Sequence, residues 1–397
     1  MNQNIKNTDN LNHSLIAINN DNLPIGKQIC ILSWQILLAL PLSLVLSRLN
    51  LGGMAWIFGG IFAGVIVLQI SRIIYKISPP PNRDARHIGL MLVGLSIGFS
   101  MTQSNFITVA TGIPVFVFLT FFLLVSGSII GYFYSRFTQT NLLTSMLATV
   151  PGGVGVMSAI AADYDKNVTL VALVQVIRVT SVVILIPLIA RISTDYDAIE
   201  AVNIVESNLG SLSNYFTASN LILSILVIFL SIAAVNLSIL LKVPAAHFFA
   251  TLMLGLLFHP LINHLPMMAE IKFNLPSGVA IFGQILLGIT VGEYWGKETT
   301  FQKKTVAYAL ISTFMTLLAG AIASLMAMKL TDWDWLTCML VTAPGGAAEM
   351  ILVALTLNHD VEVVTIGHLV RLIAINSSLP IWVYLFRRLD TQVSESV

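Results

Sequence analysis

The feature that most constrains this chain is a fifteen-residue motif that occurs twice, 193 residues apart. Residues 143–157 read LTSMLATVPGGVGVM and residues 336–350 read LTCMLVTAPGGAAEM. In each copy Pro-Gly-Gly interrupts an apolar segment, and the eleventh residue of the next apolar segment is an arginine, Arg178 or Arg371. A duplicated fold with two broken segments and two cations inside apolar segments is typical of a binding site between pseudo-symmetric halves.

The composition predicts an all-α polytopic membrane protein. Hydrophobic residues make up 56% of the chain and charged residues 10%, whereas a soluble globular chain carries about 25% charged residues. Apolar runs near the length that spans a bilayer, about 20 residues, recur in both halves. They lie at 29–47, 51–70, 87–102, 110–134, 140–163 and 168–190, and again at 218–241, 244–262, 277–294, 305–328, 335–356 and 361–386.

The charge and the cysteines exclude several classes of function. A net charge of +1, without a run of lysine or arginine, provides no basic surface for nucleic acid. Cys30 and Cys338 are isolated, which predicts neither a disulfide nor a cysteine-based metal site. We therefore expect no nucleic-acid partner, metal or cofactor. The expected partners are a small-molecule or ion substrate and the lipid bilayer, and a homo-oligomer is left open.

The duplication divides the chain into five regions. The N-terminal residues are polar and Asn-rich and lack the regions of a cleavable signal, so we expect a disordered cytoplasmic tail there. The regions are this tail at 1–28, a first membrane repeat at 29–191, an acidic linker at 192–217, a second membrane repeat at 218–388 and a C-terminal tail at 389–397.

The topology depends on whether 140–163 and 335–356 cross the membrane as broken helices or enter and leave on one side as re-entrant hairpins. An arm of about ten residues is about 15 Å long, which reaches only the bilayer midplane. Hairpins place 14 lysines and arginines inside and 4 outside, against 12 and 6 if every segment crosses. Since positive residues favour the cytoplasmic side, we predict two inverted repeats with about ten transmembrane helices plus two re-entrant or broken helices. Both termini are then cytoplasmic.

The two breaks predict a substrate site at the membrane midplane. Unpaired backbone groups are not tolerated in hydrocarbon, so a break at this depth lies within protein or lines a wet cavity. The helix that begins after each break points its N–H groups into the site, which suits an anion. The predicted substrate-binding residues are Pro151, Gly152, Gly153, Gln175, Arg178, Pro344, Gly345, Gly346, His368 and Arg371.

Arg178 and Arg371 have two open interpretations. A charge near the bilayer centre costs about 3 kcal/mol or more, so each arginine needs a partner or water. Each could bind the substrate, each could bond the loose carbonyl groups of its own hairpin, or the two could divide these roles. Gln175 and His368 precede the arginines by three residues and therefore share a helix face with them.

Glu349 distinguishes the two copies, because Val156 occupies the matching position. In the first turn after the break it could cap the helix, pair with Arg371 or relay a proton or cation. We favour coupling or pairing over a local cap, and predict that Glu349 serves proton or ion coupling. Glu293, at the end of the ninth segment, is expected at the membrane interface.

These motifs resemble the AbrB family of bacterial membrane proteins, whose defining feature is a duplicated hydrophobic domain. The similar segments are ATVPGGVGVM at 148–157, VQVIRV at 174–179, VTAPGGAAEM at 341–350 and GHLVR at 367–371. The resemblance covers nearly everything after residue 28. It implies an inverted-repeat fold similar to cation/proton antiporters or anion transporters, in the bacterial plasma membrane. Family members have been labelled regulators of gene expression and also ammonia monooxygenases.

Three functions follow from these observations. We predict a secondary transporter of a small, anionic solute, driven by an ion gradient because no Walker-type loop is present. The alternative is a membrane-embedded regulator of gene expression that acts indirectly, since the sequence contains no DNA-binding element. The least favoured is a copper oxygenase resembling ammonia monooxygenase, so we expect no enzyme. The histidines of this chain are not spaced closely enough to form a metal site. They lie at positions 13, 87, 247, 259, 264, 359 and 368.

Overall fold

The computed structural model describes most of the chain as helix. The described residues are 24–48, 54–75, 79–101, 109, 112–193, 218–243, 245–263, 275–296, 302–357 and 359–395. Within these ranges every regular element is helical, which makes the described fold all-α. Most of the predicted N-terminal tail and of the acidic linker at 192–217 lies outside the described residues.

Fourteen α-helices occupy the described ranges, seven in each copy of the duplication. The first seven are α1 Ile25–Arg48, α2 Ala55–Tyr75, α3 Arg83–Ser100, α4 Ile113–Thr138, α5 Leu142–Thr149, α6 Val154–Asp163 and α7 Val168–Ser193. The second seven are α8 Ala218–Leu240, α9 Ala246–Asn263, α10 Ser277–Glu293, α11 Lys303–Leu330, α12 Trp335–Thr342, α13 Ala347–Thr356 and α14 Val361–Glu395. A 3-10 turn, Tyr294–Gly296, follows α10.

Seven of the described helices are long and apolar enough to cross a membrane: α1, α2, α4, α7, α8, α11 and α14. Four shorter apolar helices, α6, α9, α10 and α13, accompany them. This pattern agrees with a polytopic membrane protein. The last helix, α14, continues to Glu395 and so extends through most of the region 389–397 that the sequence suggested was a tail.

The short helices α5 and α12 begin and end at matching positions. The side chain of Asn141 accepts hydrogen bonds from the N–H groups of Leu143 and Thr144 at the start of α5. Asp334 caps the start of α12 in the same way. Each helix ends just before the proline, because the residue that precedes a proline is pushed into an extended conformation. Val150 and Ala343 both have that conformation, with ψ of 135° and 127°.

One compact unit comprises the described residues within 1–89 and 280–299. Its helices α2 and α10 are in backbone contact through glycines. A Cβ atom on Gly60 or Gly64 would collide with a carbonyl oxygen of α10, and one on Gly288 or Gly292 would collide with a carbonyl oxygen of α2. Small residues four apart permit this close approach, as in the GxxxG contacts of membrane helices.

The other compact unit comprises the described residues within 90–279 and 300–397 and contains both Pro-Gly-Gly breaks. Within it Gly94 and Gly98 of α3 approach the backbone of α9 at Phe248 and Leu252. Helix α4 packs against α14, and α7 packs against α11. Helices of the first copy therefore find partners in the second copy, and the breaks lie among α4, α7, α11 and α14.

The contact between α2 and α10 predicts a difference between two glycines of the same helix. We expect Gly288→Ala to lower stability by about 1–3 kcal/mol, because its methyl group would force two backbones apart. Gly278→Ala is the control, since a Cβ atom there meets nothing within 4 Å. Thermal unfolding of both variants in detergent measures the effect. Equal melting temperatures would show that the close approach does not stabilise the unit.

Candidate functional site

The Pro-Gly-Gly breaks separate α5 from α6 and α12 from α13. In both copies the N–H group after the first helix still bonds back into it: Val150 to Met146 O at 2.9 Å, and Ala343 to Met339 O at 2.9 Å. Gly153 then has φ +84° and ψ 143°, a conformation that is essentially restricted to glycine. The carbonyl groups at each break have no helical partner and must be bonded by other groups.

Arg178 supplies the donors at the first break. It is 3% exposed, and its Nη1 donates to Thr149 O at 3.0 Å and to Val150 O at 3.4 Å. Its Nη2 donates to the Gln175 side-chain oxygen. The Gln175 amide nitrogen in turn donates to Leu147 O at 2.8 Å and to Val150 O at 3.0 Å. The two side chains therefore bond most of the carbonyl groups released by the break.

Arg371 and His368 do the same at the second break. Arg371 donates from Nη1 to Ala343 O at 2.6 Å and from Nη2 to Gly345 O at 3.0 Å. Its Nη2 also lies 2.7 Å from His368 Nδ1, while His368 Nε2 lies 3.0 Å from Leu340 O. Since arginine can only donate, Nδ1 must accept and Nε2 must carry the proton. His368 is therefore a neutral imidazole that links Arg371 to the backbone.

These bonds fix the direction of each short helix. Gln175 bonds Leu147, and three residues later Arg178 bonds Thr149, so α5 runs parallel to α7. Helix α6 reaches α7 through a four-residue connection at 164–167 and packs against it, so it runs antiparallel. The second copy has the same register between α12 and α14. Each motif is thus a helical hairpin whose two ends lie on the same side.

Two threonines complete the framework around the breaks. The Thr149 hydroxyl donates to Gly127 O on α4 at 2.9 Å, and the Thr342 hydroxyl donates to Gly320 O on α11 at 3.1 Å. These glycines also leave room for the prolines, whose Cδ atoms would lie 3.2–3.3 Å from a Cβ atom there. The site prediction omitted both threonines, although their identity in the two copies was a usable signal.

The two helices that begin at the breaks differ in how their N-termini are covered. Helix α6 starts after Gly153 without a side-chain cap, and Gly153 and Val156 are exposed. At the start of α13 the Glu349 side chain is 1% exposed, and its carboxylate lies where a Cβ atom of Gly346 would be. The first N-terminus is therefore open, whereas a carboxylate of the protein lies beside the second.

The two breaks combine two buried arginines with one buried carboxylate, Glu349. The guanidinium groups of Arg178 and Arg371 are both buried, with 3% and 7% of these residues exposed. The Nε–H of Arg178 has no hydrogen-bond partner among the described residues. The open N-terminus of α6 adds the positive end of a helix dipole. The structure thus brings all ten predicted binding residues and Glu349 to the two breaks of one compact unit.

The outer ends of the second hairpin carry carboxylates at two positions where the first hairpin has asparagines. His359 Nδ1 lies 3.4 Å from Asp334 Oδ2, and Asp360 precedes α14. Asn141 and Asn167 occupy the positions that correspond to Asp334 and Asp360. Burial, followed by the charges of Asp334 and Glu362, raises the pKa of Asp360 above its usual value of 3.8.

Comparison with known proteins is consistent with these motifs. The model of the AbrB family, described as "Transition state regulatory protein AbrB", matches residues 56–387. "Uncharacterized protein YhjN" of Bacillus subtilis (strain 168) is 24% identical over 359 residues, which cover 87% of this chain and 91% of that protein. "Putative regulator AbrB" of Escherichia coli (strain K12) is 27% identical over 352 residues, which cover 87% of this chain and 94% of that protein.

The bonds of Arg371 predict a large effect on stability. We expect Arg371→Gln to destabilise the protein by about 2 kcal/mol or more, because the buried carbonyl oxygens of Ala343 and Gly345 lose their donor. Arg388→Gln, at an exposed position of the same helix, is the control. Thermal unfolding in detergent compares the two variants with the wild type. A wild-type melting temperature for Arg371→Gln would contradict a structural role for this arginine.

The raised pKa of Asp360 predicts a stability difference that depends on pH. Protonation of Asp360 stabilises the folded state at low pH, and this contribution is lost as the pH rises through the raised pKa. We therefore expect Asp360→Asn to melt above the wild type at neutral pH, and the difference to vanish near the usual pKa of aspartate. Asp163→Asn in the first copy is the control. A difference that does not change with pH would refute this prediction.

Proposed function

Because the chain belongs to the AbrB family and its described fold is that of an all-helical membrane protein, we propose that it is a secondary transporter of a small anionic solute. The observation that carries this proposal is the open N-terminus of α6 in the same compact unit as two buried arginines. The protein does not fully balance the positive charge of these groups with its own carboxylates. The remaining positive charge can bind a carboxylate or a similar anion. The site lies between the two Pro-Gly-Gly breaks.

The proposed topology consists of two inverted repeats in a bacterial plasma membrane, with both termini in the cytoplasm. The parallel register of α5 with α7 supports re-entrant hairpins, since it brings both ends of each hairpin to one side. With five crossings and one hairpin in each repeat, the hairpins enter from opposite faces and their breaks meet near the midplane. Helices α3, α9 and α10 are then short crossings. This arrangement is common among secondary transporters.

We assign different roles to the residues of the two hairpins. Gly153 lets the anion approach the first N–H groups of α6, because no side chain caps this helix and a Cβ atom at Gly153 would meet nothing within 4 Å. Gly152 leaves room for the Met157 side chain, which lies where its Cβ atom would be. Arg178 and Arg371 hold the breaks in shape through their carbonyl bonds and contribute positive charge to the site. Glu349 couples solute movement to a proton or ion. Its carboxylate lies at the N-terminus of α13, which is the position equivalent to the one where the solute binds at the N-terminus of α6.

Val156 offers a direct test, because it occupies the position of Glu349 in the first copy and is 44% exposed. We expect Val156→Glu to place a carboxylate at the N-terminus of α6 and to abolish solute uptake. Val156→Gln, which has the same shape without the charge, should retain it. Proteoliposomes tested with a panel of organic and inorganic anions measure uptake, and thermal unfolding confirms that both variants fold.

Two outcomes would contradict the transporter. One is wild-type protein that neither takes up nor binds any anion of the panel. The other is equal uptake by wild type, Val156→Glu and Arg178→Ala, since a site at the breaks must respond to charge. Loss of uptake in Val156→Gln as well would show that the site responds to shape alone, which also contradicts an anion site.

A regulator of gene expression is the second candidate, favoured by the name of the Escherichia coli relative, "Putative regulator AbrB". Regulation would be indirect, through a ligand that the membrane protein senses or moves. A strain without this gene separates the two functions. Altered transcripts with unaltered solute fluxes favour the regulator, whereas altered fluxes that precede the transcript changes favour the transporter.

A further inference from the structure

A second buried carboxylate lies in the compact unit that does not contain the hairpins. Glu293 is the last residue of α10 and is only 4% exposed. The sequence predicted a position at the membrane interface, and the structure adds that the side chain is enclosed by protein. A buried carboxylate is costly unless its oxygens are bonded and its charge is balanced or removed. The groups around Glu293 therefore show what the carboxylate does.

Among the described residues, the donors that bond the Glu293 carboxylate are neutral. The backbone N–H of Asn82 donates to Oε2 at 2.7 Å, and Gln35 Nε2 of α1 donates to Oε1 at 3.0 Å. The described residues show no salt bridge to this carboxylate. The charged groups of the neighbouring helices α2 and α3 are Arg72, Arg83, Asp84, Arg86 and His87.

Two helix ends act on the Glu293 carboxylate with opposite electrostatic effects. It ends α10, where the helix dipole is negative and disfavours an anion. It also accepts a bond from Asn82, whose own side chain caps the start of α3 by accepting from Ala85 N–H at 3.0 Å. The positive end of α3 favours the anion. Neither the charged nor the neutral form is therefore fixed by the surrounding backbone.

Gln35 is suited to both forms of the carboxyl group. It is 0% exposed, and its Oε1 has no hydrogen-bond partner among the described residues. An amide that donates from Nε2 to a carboxylate can rotate by half a turn and accept from a carboxylic acid with Oε1. Glu293 can therefore gain or lose a proton without losing this hydrogen bond, while the Asn82 N–H holds its other oxygen.

We propose that Glu293 is a reversible proton-binding site, with Gln35 as its switchable amide partner. The proton is the ligand, and the site differs from the two Pro-Gly-Gly breaks in residues and in compact unit. It does not depend on the identity or the existence of a transported anion. A membrane protein driven by an ion gradient needs such a group, but the site is defined by Glu293, Gln35 and Asn82 alone.

Infrared difference spectroscopy of the full chain in lipid tests this proposal directly. Acidification of the wild type should reversibly produce the C=O band of a buried carboxylic acid. Glu293→Gln should lack the band, and Glu349→Gln, which removes the buried carboxylate of the other unit, should retain it. A wild type without a reversible band, or a difference spectrum that is unchanged in Glu293→Gln, would overturn the proposal.

Gln35→Leu provides a second measurement that a purely structural role would not affect. Loss of the amide removes a charge-assisted bond to the anion and a weaker neutral bond to the acid, so the midpoint of the band should move to higher pH by about half a unit to one unit. An unchanged midpoint overturns the role of Gln35. If Glu293→Gln does not fold, the Gln35→Leu midpoint decides the question, because that substitution leaves the carboxyl group in place.

Discussion

The candidate site depends on how the protein bonds the carbonyl groups that two helix breaks release. In water these groups would be solvated, but inside an apolar bundle each one needs a donor. An arginine carries five N–H donors in a planar fork and can reach several well-separated carbonyl oxygens, whereas the three donors of a lysine share one nitrogen. Arg178 and Arg371 meet this need, and the amide of Gln175 and the imidazole of His368 extend their reach by one helical turn.

This framework explains how two copies with the same skeleton can differ in chemistry. Thr149 and Thr342, the capping residues and the arginines hold both breaks in one geometry. The positions that do not bond the framework are free to vary. Val156 leaves the first N-terminus open, whereas Glu349 brings a negative charge to the second. A shared structural role for the arginines is therefore compatible with unequal half-sites.

Much of the fold could be predicted from the sequence, because duplication and hydropathy both report on it. Each apolar run corresponds to a described helix, and the two runs with Pro-Gly-Gly are each broken into two helices. Arg178 and Arg371 could be predicted as central residues, but their carbonyl partners could not, since these depend on the rotation of α7 and α14. Gly153 and Gly346 occupy the same position of identical Pro-Gly-Gly motifs but differ in conformation, with φ of +84° and −69°. The sequence contains no signal that predicts this difference.

The burial of Glu293 could not be predicted for a related reason. Its partners Gln35 and Asn82 are 258 and 211 residues away in the chain, and no spacing rule connects them. A carboxylate at the end of an apolar run reads as interfacial when only local sequence is considered. The close approach of helices through glycines brings such distant groups together, and it is visible only in three dimensions.

The exchange of partners between the two copies has a consequence for the order in which the chain folds. Helices α3, α4 and α7 are synthesised early, yet they pack against α9, α14 and α11. The same is true of α2, whose glycines pack against α10. These helices of the first half therefore lack their packing partners until the ribosome has synthesised the second half. Translation stopped at the midpoint leaves helices without the partners that they pack against in the complete protein.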